Sequence, residues 1–250
     1  MSFEIFTLRE RPDLRREIFS HAFQAALWPE FASHDSAAHL YYATPYFDAY
    51  LDYAFAAVES GTVLARAFSV PFAFGIPERS ELPDAGWDAV VRWAHDDQIL
   101  GRSATAVSAL EIGLLPQARG RGFSRMILEA MRRNTRAHGF ADLFAPVRPS
   151  EKARHPFMAM RDYVVAVGAD GLPRDAWLRT HVRAGGTIVK IAPYSMTIVG
   201  TVADWTAWSG LRFEQSGLFA VEGGLAPVHI STEQNYGVYV EPNVWVHHRV

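Results

Sequence analysis

The middle of the chain contains glycines and arginines at a spacing suited to binding an anion. Gly120 and Gly122 are separated by one residue, and Arg119, Arg121 and Arg125 surround them. Glycine has no Cβ, so the backbone can turn sharply there and point its N–H groups at a ligand. Arginine side chains add charge-assisted hydrogen bonds to phosphate oxygens. These residues together predict a loop that holds a pyrophosphate.

The residues on either side of this loop indicate which elements position it. Before the loop, the segment from Ser103 reads as an apolar and β-branched strand that ends at Pro116. The first N–H groups of a helix have no internal partners and lie at the positive end of its dipole, which favours an anion there. A strand, a glycine loop and a helix start are therefore predicted in succession. The apolar residues at helical spacing after the loop are Met126, Ile127, Ala130 and Met131.

The residues of the glycine loop indicate which class of pyrophosphate-containing ligand it binds. A dinucleotide-binding fold requires G-x-G-x-x-G after its first strand, and a nucleoside triphosphate loop requires a Gly-Lys-Ser/Thr ending. Neither pattern occurs here. Residues 117–122 read Gln-Ala-Arg-Gly-Arg-Gly after an apolar-x-Pro strand end. This segment resembles the coenzyme A loop of the GNAT superfamily of acyl-CoA-dependent N-acyltransferases, whose pattern is Gln/Arg-x-x-Gly-x-Gly/Ala. The resemblance is specific for about residues 106–139.

The resemblance implies a fold and a cosubstrate. The fold is α/β (α+β), with a mixed and mostly antiparallel central sheet flanked by helices. The cosubstrate is acetyl-CoA or another acyl-CoA, and no metal is expected. In this family the central strand splays from its neighbour near a bulge, and its backbone pairs with the pantetheine arm. Carried onto this chain, the cofactor-binding residues are Ile112, Gly113, Leu114, Gln117, Arg119, Gly120, Arg121, Gly122, Phe123, Ser124 and Arg125.

Glu111 is the candidate general base. It interrupts an otherwise apolar strand, where a carboxylate is costly unless it is exposed, paired or functional. Aminolysis of a thioester needs a neutral amine, although amines are mostly protonated at pH 7, so a base assists the reaction. Many relatives place a Glu on this strand for that purpose. The alternatives are a carboxylate that points off the sheet edge or that pairs with an arginine.

The candidate for protonating the leaving thiolate is less certain from the sequence. The family commonly places a Tyr four residues before a Gly-Phe, whereas this chain has His181 four residues before Gly185. Histidine can exchange a proton near neutrality, but a lone histidine on a helix is more often structural. Tyr163 and Tyr194 are the other candidates. His181 and Tyr163 therefore join Glu111 as predicted catalytic residues.

An aromatic-rich segment between residues 28 and 53 is the candidate acceptor pocket. The resemblance implies that this region lines the pocket, whereas packing in the core is the alternative for each residue. Asp48 and Asp52 lie one helical turn apart and could hold an amine, or could form a solvated surface. A helix from Trp87 to His95 is predicted to cover the acceptor side. The aromatic candidates include Trp28, His39, Tyr41, Tyr42, Phe47 and Tyr50.

The remaining segments predict one enlarged domain over residues 1–250. Strands are expected at Phe3 to Leu8, from Thr62 to Phe74 with an interruption at Pro71, and at 142–147. A helix is expected from Pro12 through Ala26. Residues 75–100 are interpreted as an insertion and 148–174 as an enlarged section. After residue 187 the chain is rich in strands, which predicts an extended C-terminal β region.

Composition excludes several classes of function. The chain has 250 residues and a net charge of −3, so its charge does not favour a surface for nucleic acid. It has no cysteine and therefore no disulfide and no thiolate site. No apolar run reaches membrane-spanning length, and the charged N-terminus is not a secretory signal, which predicts a cytoplasmic protein without a membrane partner. His247 and His248 are adjacent on a predicted strand and point to opposite faces, which makes them poor joint metal ligands.

The sequence therefore predicts an enzyme that transfers an acetyl or another acyl group from acyl-CoA to an amine of a small molecule or peptide. Two alternatives remain open. One is a catalytically inactive coenzyme A-binding or sensor module of the same fold. The other keeps the scaffold but transfers the acyl group to a hydroxyl or decarboxylates a malonyl thioester. The sequence does not decide between a monomer and a homodimer.

Overall fold

A computed structural model describes residues 3–42 and 46–250 of the chain. Within these ranges nine strands form one continuous sheet. The strands in chain order are β1 (Phe3–Thr7), β2 (Ala54–Glu59), β3 (Thr62–Phe72), β4 (Ala106–Leu114), β5 (Asp142–Val147), β6 (Thr187–Gly200), β7 (Gly217–Phe219), β8 (Val228–Ser231) and β9 (Tyr236–Arg249).

The sheet is mixed and mostly antiparallel. Its order is β1-β2-β3-β4-β5-β9-β8-β7, and β6 lies on the other edge of β9. β4 and β5 are parallel, while the other neighbouring strands are antiparallel. The α/β class and the mostly antiparallel sheet predicted from the sequence are thus confirmed.

Eight α-helices in the described ranges pack against the sheet or extend from it. The longest two, α4 and α5, flank β4 in the chain. In order the helices are α1 (Arg15–Ile18), α2 (His21–Leu27), α3 (Ser36–Tyr42), α4 (Gly86–Leu100), α5 (Phe123–Ala137), α6 (Met160–Val164), α7 (Ala176–Arg183) and α8 (Val202–Ser209). Short 3-10 turns occur at Pro12–Leu14, Glu30–His34, Tyr46–Tyr53, Pro116–Ala118 and Lys152–Arg154. None of the helices in these ranges is long and apolar enough to cross a bilayer.

The core has a main part and a smaller C-terminal part. In the main part, Phe68 and Phe72 of β3 pack with Leu143 of β5 and Trp245 of β9, and all four are fully buried. In the smaller part, Trp205 of α8 packs with neighbours from β8, β9 and the turn at Glu30–His34. The apolar burial on both parts supplies most of the drive to fold.

Two expected elements differ from the structure. The helix expected from Pro12 through Ala26 is divided, because Ser20 has an extended backbone and its hydroxyl accepts the Phe23 N–H as the N-cap of α2. The expected interruption at Pro71 is absent. Pro71 pairs with Val107 of β4. Because β2 begins at Ala54, opposite Phe68, no strand among the described residues pairs with the other side of β3 at Pro71.

The strand β2 has a weak sequence signal and was not anticipated. It is rich in alanine and lacks apolar-polar alternation. Its hairpin with β3 turns at Ser60 and Gly61, which have φ values of 52° and 83°. Two successive residues with positive φ are typical of the tight turns that match the twist of a hairpin.

Candidate active site

A cleft opens where β4 and β5 diverge. The two strands pair where Val107 faces Leu143 and Ser108 faces Phe144. On the other side of β4, Phe68 pairs with Glu111 and Ser69 with Ala109, so Leu110 is the extra residue of a bulge. A bulge bends its strand and increases the local twist. The bend of β4 therefore separates it from β5 beyond Ser108, and a cleft of about 580 Å³ lies between them.

Glycines give the end of this cleft its shape. Gly120 and Gly122 have φ values of 73° and 80°, and nothing lies within 4 Å of a Cβ built at either position. Gly122 is the N-cap of the 15-residue helix α5. The loop therefore presents backbone to open space at the positive end of a helix dipole, an arrangement that fits an anionic group.

The arginines of the loop are engaged to different degrees. Arg121 forms a bidentate ion pair with Glu59, with nitrogen-to-oxygen distances of 2.9 and 2.7 Å. Arg119 donates to the carbonyl oxygens of Leu114 and Ala26 at 3.3 and 3.4 Å. Arg125 is exposed on the first turn of α5. Arg121 thus ties the loop to β2, while Arg119 lines the cleft.

The predicted cofactor-binding residues divide into two groups. The residues Ile112, Gly113, Leu114, Arg119, Gly120 and Ser124 line the cleft. The residues Gln117, Arg121, Gly122, Phe123 and Arg125 lie on the same loop and helix start but outside the lining. Phe123 is buried and stacks on Phe3, with ring centroids 3.8 Å apart.

Glu111 is buried at the bulge, and its carboxylate is held by the side chains of Arg66 and Tyr42. Its Oε1 accepts from Arg66 Nε at 2.7 Å, and its Oε2 accepts from the Tyr42 hydroxyl at 3.2 Å. Arg66 also donates to the carbonyl oxygen of Ile18 at 2.7 Å and to the side chain of Gln24. Glu111 is therefore paired with an arginine, which was one of the alternatives that the sequence left open for this carboxylate. This pairing orients the carboxylate and leaves it at the wall of the cleft.

A second cavity, of about 360 Å³, lies on the other side of Glu111. Phe19, Gln24, His39, Tyr42 and Arg66 are among the residues that line it. The residues shared with the cleft are Trp28, Trp87, Leu110, Glu111 and Met196. The two cavities therefore meet at the bulge, with the Glu111 carboxylate at the junction.

The side chains of the aromatic segment lie in two places. Trp28, His39 and Tyr42 line the second cavity. The side chains of Tyr41, Phe47 and Tyr50 are buried in the main core instead.

The acidic candidates in this segment are engaged at the surface. Asp48 pairs with Arg15 at 2.6 Å, and Asp52 pairs with Arg9 at 3.2 Å. Neither aspartate lines either cavity.

The candidates for the leaving-group role lie in different surroundings. His181 on α7 lines the cleft and is buried, and its Nδ1 is 2.9 Å from Nε2 of His248 on β9. Burial is the main cause that lowers the pKa of His181 to about 3. The Tyr163 hydroxyl donates to Asp175 at 2.8 Å, and burial raises the pKa of Tyr163. Tyr194 is 48% exposed on β6.

Arg66 is a site residue that the sequence did not identify, and the sequence did not assign Tyr42 and Trp87 their contacts with Glu111 and with the bulge. Arg66 is the charged residue within an apolar strand, as Glu111 is in the next strand along the sheet. Two opposite charges in neighbouring buried strands indicate an ion pair. This signal can be used only once the two strands are known to be adjacent in the sheet. Trp87 is the second residue of α4, and its Nε1 donates to the Leu110 carbonyl oxygen at 3.1 Å, which holds the bulge in place.

Metal ligands do not cluster in the described ranges. Over residues 3–42 and 46–250, no group of three His, Asp or Glu side chains is arranged to hold a metal ion. His247 and His248 point apart, since His247 bonds to Asp142 at 2.7 Å and His248 bonds to His181.

One curated protein and two solved structures are similar to this chain over nearly its whole length. No protein-family model matches the chain. The arginine N-acetyltransferase avaD of Aspergillus versicolor is 29% identical, and the match covers 99% of this chain and 94% of that protein. The loading GNATL domain of CurA from Lyngbya majuscula has a TM-score of 0.60 at 16% identity, over 100% of this chain and 98% of that one. The GNAT-like decarboxylase GphF, solved with isobutyryl-CoA, has a TM-score of 0.52 at 18% identity. The match covers 100% of this chain and 99% of that one.

Proposed function

We propose that the chain is an N-acetyltransferase of the GNAT superfamily that moves an acetyl or another short acyl group from acyl-CoA to an amine of a small molecule. Acyl-CoA supplies a thioester, whose carbonyl carbon is open to attack by a neutral amine. The protein contributes positioning and proton transfer, which together account for large rate factors in such reactions.

The observation that carries the proposal is the position of Glu111 at the junction of the two cavities. An amine in the smaller cavity and an acyl group in the cleft would meet beside this carboxylate. Glu111 would accept a proton from the amine, directly or through water, while Arg66 and Tyr42 hold the carboxylate in place. A base within hydrogen-bond reach of the reacting amine is what this chemistry requires.

The coenzyme A portion fits the cleft by the chemistry of its walls. Ile112, Gly113 and Leu114 offer the edge of β4 where β5 has diverged. Gly120 and the start of α5 offer backbone N–H groups to phosphate, with Arg119 and Ser124 beside them. Gln117, Arg121, Gly122, Phe123 and Arg125 support this loop in the proposal.

The acceptor is proposed from the relative and from the cavity. Arginine is the acceptor named for the Aspergillus versicolor protein, so arginine and other amines that carry a guanidinium group are the first candidates. Trp28 and Tyr42 line the smaller cavity, and aromatic rings attract such a cation. A peptide amine, a homodimer and a cytoplasmic location stay predictions from the sequence.

The experiment is thiol release from acetyl-CoA across a panel of amines, with Glu111→Gln as the test variant. We expect release that depends on the amine, and a fall in kcat of about 10²–10⁴-fold in the variant. Asp97→Asn is the matched control, because Asp97 is also a buried carboxylate that pairs with an arginine, Arg79, at 2.8 Å, but it lies outside both cavities.

Three results would contradict the proposal in different ways. Full activity in Glu111→Gln would remove the base from this residue. Equal loss in Glu111→Gln and Asp97→Asn would indicate a structural effect. Stabilisation of the protein by coenzyme A without release for any amine would favour the inactive coenzyme A-binding module.

A further inference from the structure

His181 and His248 form a buried pair that the proposed reaction does not yet use. His181 lies on α7 at the cleft wall, His248 lies on β9 behind it, and their rings join through Nδ1 and Nε2 at 2.9 Å. Gly186 makes room for the second ring, because a Cβ at this position would lie 2.6 Å from His248 Cε1. The His248 ring is therefore held tightly against the backbone that follows α7.

The hydrogen bond between the rings admits two tautomers, which leave different atoms unsatisfied. His248 Nδ1 is buried and has no hydrogen-bond partner among the described residues. If His181 donated, His248 would carry its proton on Nδ1 and bury an N–H without an acceptor. If His248 Nε2–H donates, its Nδ1 is a bare acceptor instead. Orphaned buried N–H groups are rarer than under-satisfied acceptors, which favours the second arrangement.

The second arrangement determines what His181 offers to the cleft. Its Nδ1 accepts from His248, so its proton is on Nε2, the nitrogen that remains for the cleft. The charged and titratable groups that act on the pair are Arg132 and His247, and both disfavour a positive charge on His248. Burial lowers the pKa of His181 to about 3 and that of His248 to about 4. Near neutral pH both rings are neutral, and His181 can donate a hydrogen bond without being a cationic acid.

We infer that His248 is a positioning residue that holds His181 in the Nε2–H tautomer, so that His181 donates a hydrogen bond to the sulfur that leaves during acyl transfer. This inference rests on the proposed function. As the neutral amine forms its C–N bond, the C–S bond breaks and its electron pair stays on sulfur. Glu111 takes the proton that the amine nitrogen loses and passes it to solvent. His181 keeps its own proton, and the sulfur takes a proton from water after release.

The rival donors are less suited to this task. The Tyr163 hydroxyl already donates to Oδ2 of Asp175, the N-cap residue of α7. Tyr163 also lies outside the cleft lining. Tyr194 is exposed on β6 and is likewise outside the lining. His181 is the member of the three that lines the cleft.

The first test uses the free protein and needs no activity. In protein labelled with ¹⁵N-histidine, long-range ¹H–¹⁵N spectra report which ring nitrogen carries the proton. We expect His181 and His248 both protonated on Nε2 and unchanged between pH 6 and 8. An Nδ1–H tautomer of His181, or a positive charge on it near neutral pH, would overturn the inference whether or not the protein transfers acyl groups.

The second test asks whether the His181 N–H faces the sulfur. Coenzyme A and its desulfo analogue, which lacks the thiol, are titrated into the labelled protein. We expect coenzyme A to shift the His181 Nε2 signal clearly more than desulfo-coenzyme A does. Equal shifts with the two probes, or no shift with either at saturation of binding, would contradict the contact.

The third test separates positioning from folding by three variants. His248→Phe removes the hydrogen-bond donor to His181 Nδ1, so His181 is no longer held in the Nε2–H tautomer. We expect kcat to fall about tenfold or more while KM stays within about twofold, since the hydrogen bond from His181 to the leaving thiolate is lost. His248→Gln restores an N–H donor and should recover part of kcat. His247→Gln is the matched control, because His247 is the neighbour of His248 on β9 but its own ring bonds to Asp142 instead of His181. Equal kcat in His248→Phe and His247→Gln would refute the role.

Discussion

At the residue scale, the ion pair of Arg66 and Glu111 determines how the junction of the cavities is held. Both side chains are buried, with 3% and 5% of their surfaces exposed. Removal of one partner from a buried pair leaves an uncompensated charge, which costs about 3–5 kcal/mol. We expect Arg66→Met to lower the free energy of unfolding by that amount in urea titrations.

The double variant tests whether this cost is the unpaired charge. Arg66→Met with Glu111→Gln should regain a large part of the lost stability, because the carboxylate is no longer left unpaired. A double variant as unstable as the sum of the single variants would show that Arg66 acts through packing against Phe23 and Phe68 instead.

A second residue-scale prediction concerns the buried carboxyls Asp35 and Asp88. Each has one oxygen without a donor among the described residues, and burial together with the charge of Asp35 raises the pKa of Asp88 to about 8. Arg92 is the cation that partly offsets this effect. The folded state thus binds more protons than the unfolded state between pH 4 and 8, so stability falls as pH rises toward 8.

The measurement is Tm between pH 6.5 and 8.5. The His181 and His248 pair does not interfere there, because its lowered pKa values affect stability below pH 6.5. We expect the Tm of the wild type to fall across this window and that of Asp88→Asn to stay flat. Asp204→Asn should keep the wild-type slope, since the hydrogen bond from Thr201 lowers the pKa of Asp204. A wild-type Tm that rises with pH would contradict the assignment.

At the scale of elements, the Ser195 hydroxyl is one of the groups that fix the start of α4 to the sheet. Ser195 Oγ of β6 accepts from the Trp87 N–H at 2.8 Å and donates to Asn243 Oδ1 of β9 at 2.6 Å. We expect Ser195→Ala to cost about 1–3 kcal/mol, because two buried polar groups lose their partner. Since Trp87 lines both cavities, the affinity for coenzyme A should fall as well.

The control for this prediction is Ser216→Ala, which removes an exposed hydroxyl that bonds to Thr232 and Glu233. Its effect should stay within about 0.5 kcal/mol. Chemical denaturation and calorimetric titration with coenzyme A measure both quantities. Unchanged affinity in Ser195→Ala would show that Trp87 is held by its other contacts.

Local conformation explains which elements the sequence predicted. The glycine loop and α5 were predictable because the conformation of Gly120 and Gly122 depends on residues that are close to them in the sequence. The strand β5 was predicted with its observed bounds, 142–147. The site contacts were not predictable in the same way, because Arg66 and Glu111 are 45 residues apart and His181 and His248 are 67 residues apart. Such pairs depend on sheet order and register, which no local pattern encodes.

At the scale of the whole molecule, a single domain over residues 1–250, with an insertion at 75–100 and an enlarged section at 148–174, stays a prediction. One continuous nine-stranded sheet runs through the described residues. β9 joins the two parts of the core, since Trp245 lies in the main part and Tyr239 in the smaller part. We expect one unfolding transition that coincides in calorimetry, far-ultraviolet circular dichroism and tryptophan fluorescence. Two separated transitions would indicate that the smaller part folds by itself.

The position of β9 also affects how the protein forms during synthesis. β9 pairs with β5, β6 and β8, and all three are translated before it. A nascent chain can assemble β1 to β4 early, but β5 and β6 lack their shared antiparallel partner until residues 236–249 have left the ribosome. Until then their edges and the apolar faces of Trp205 and Leu143 stay accessible, which is the period when chaperones and aggregation compete with folding.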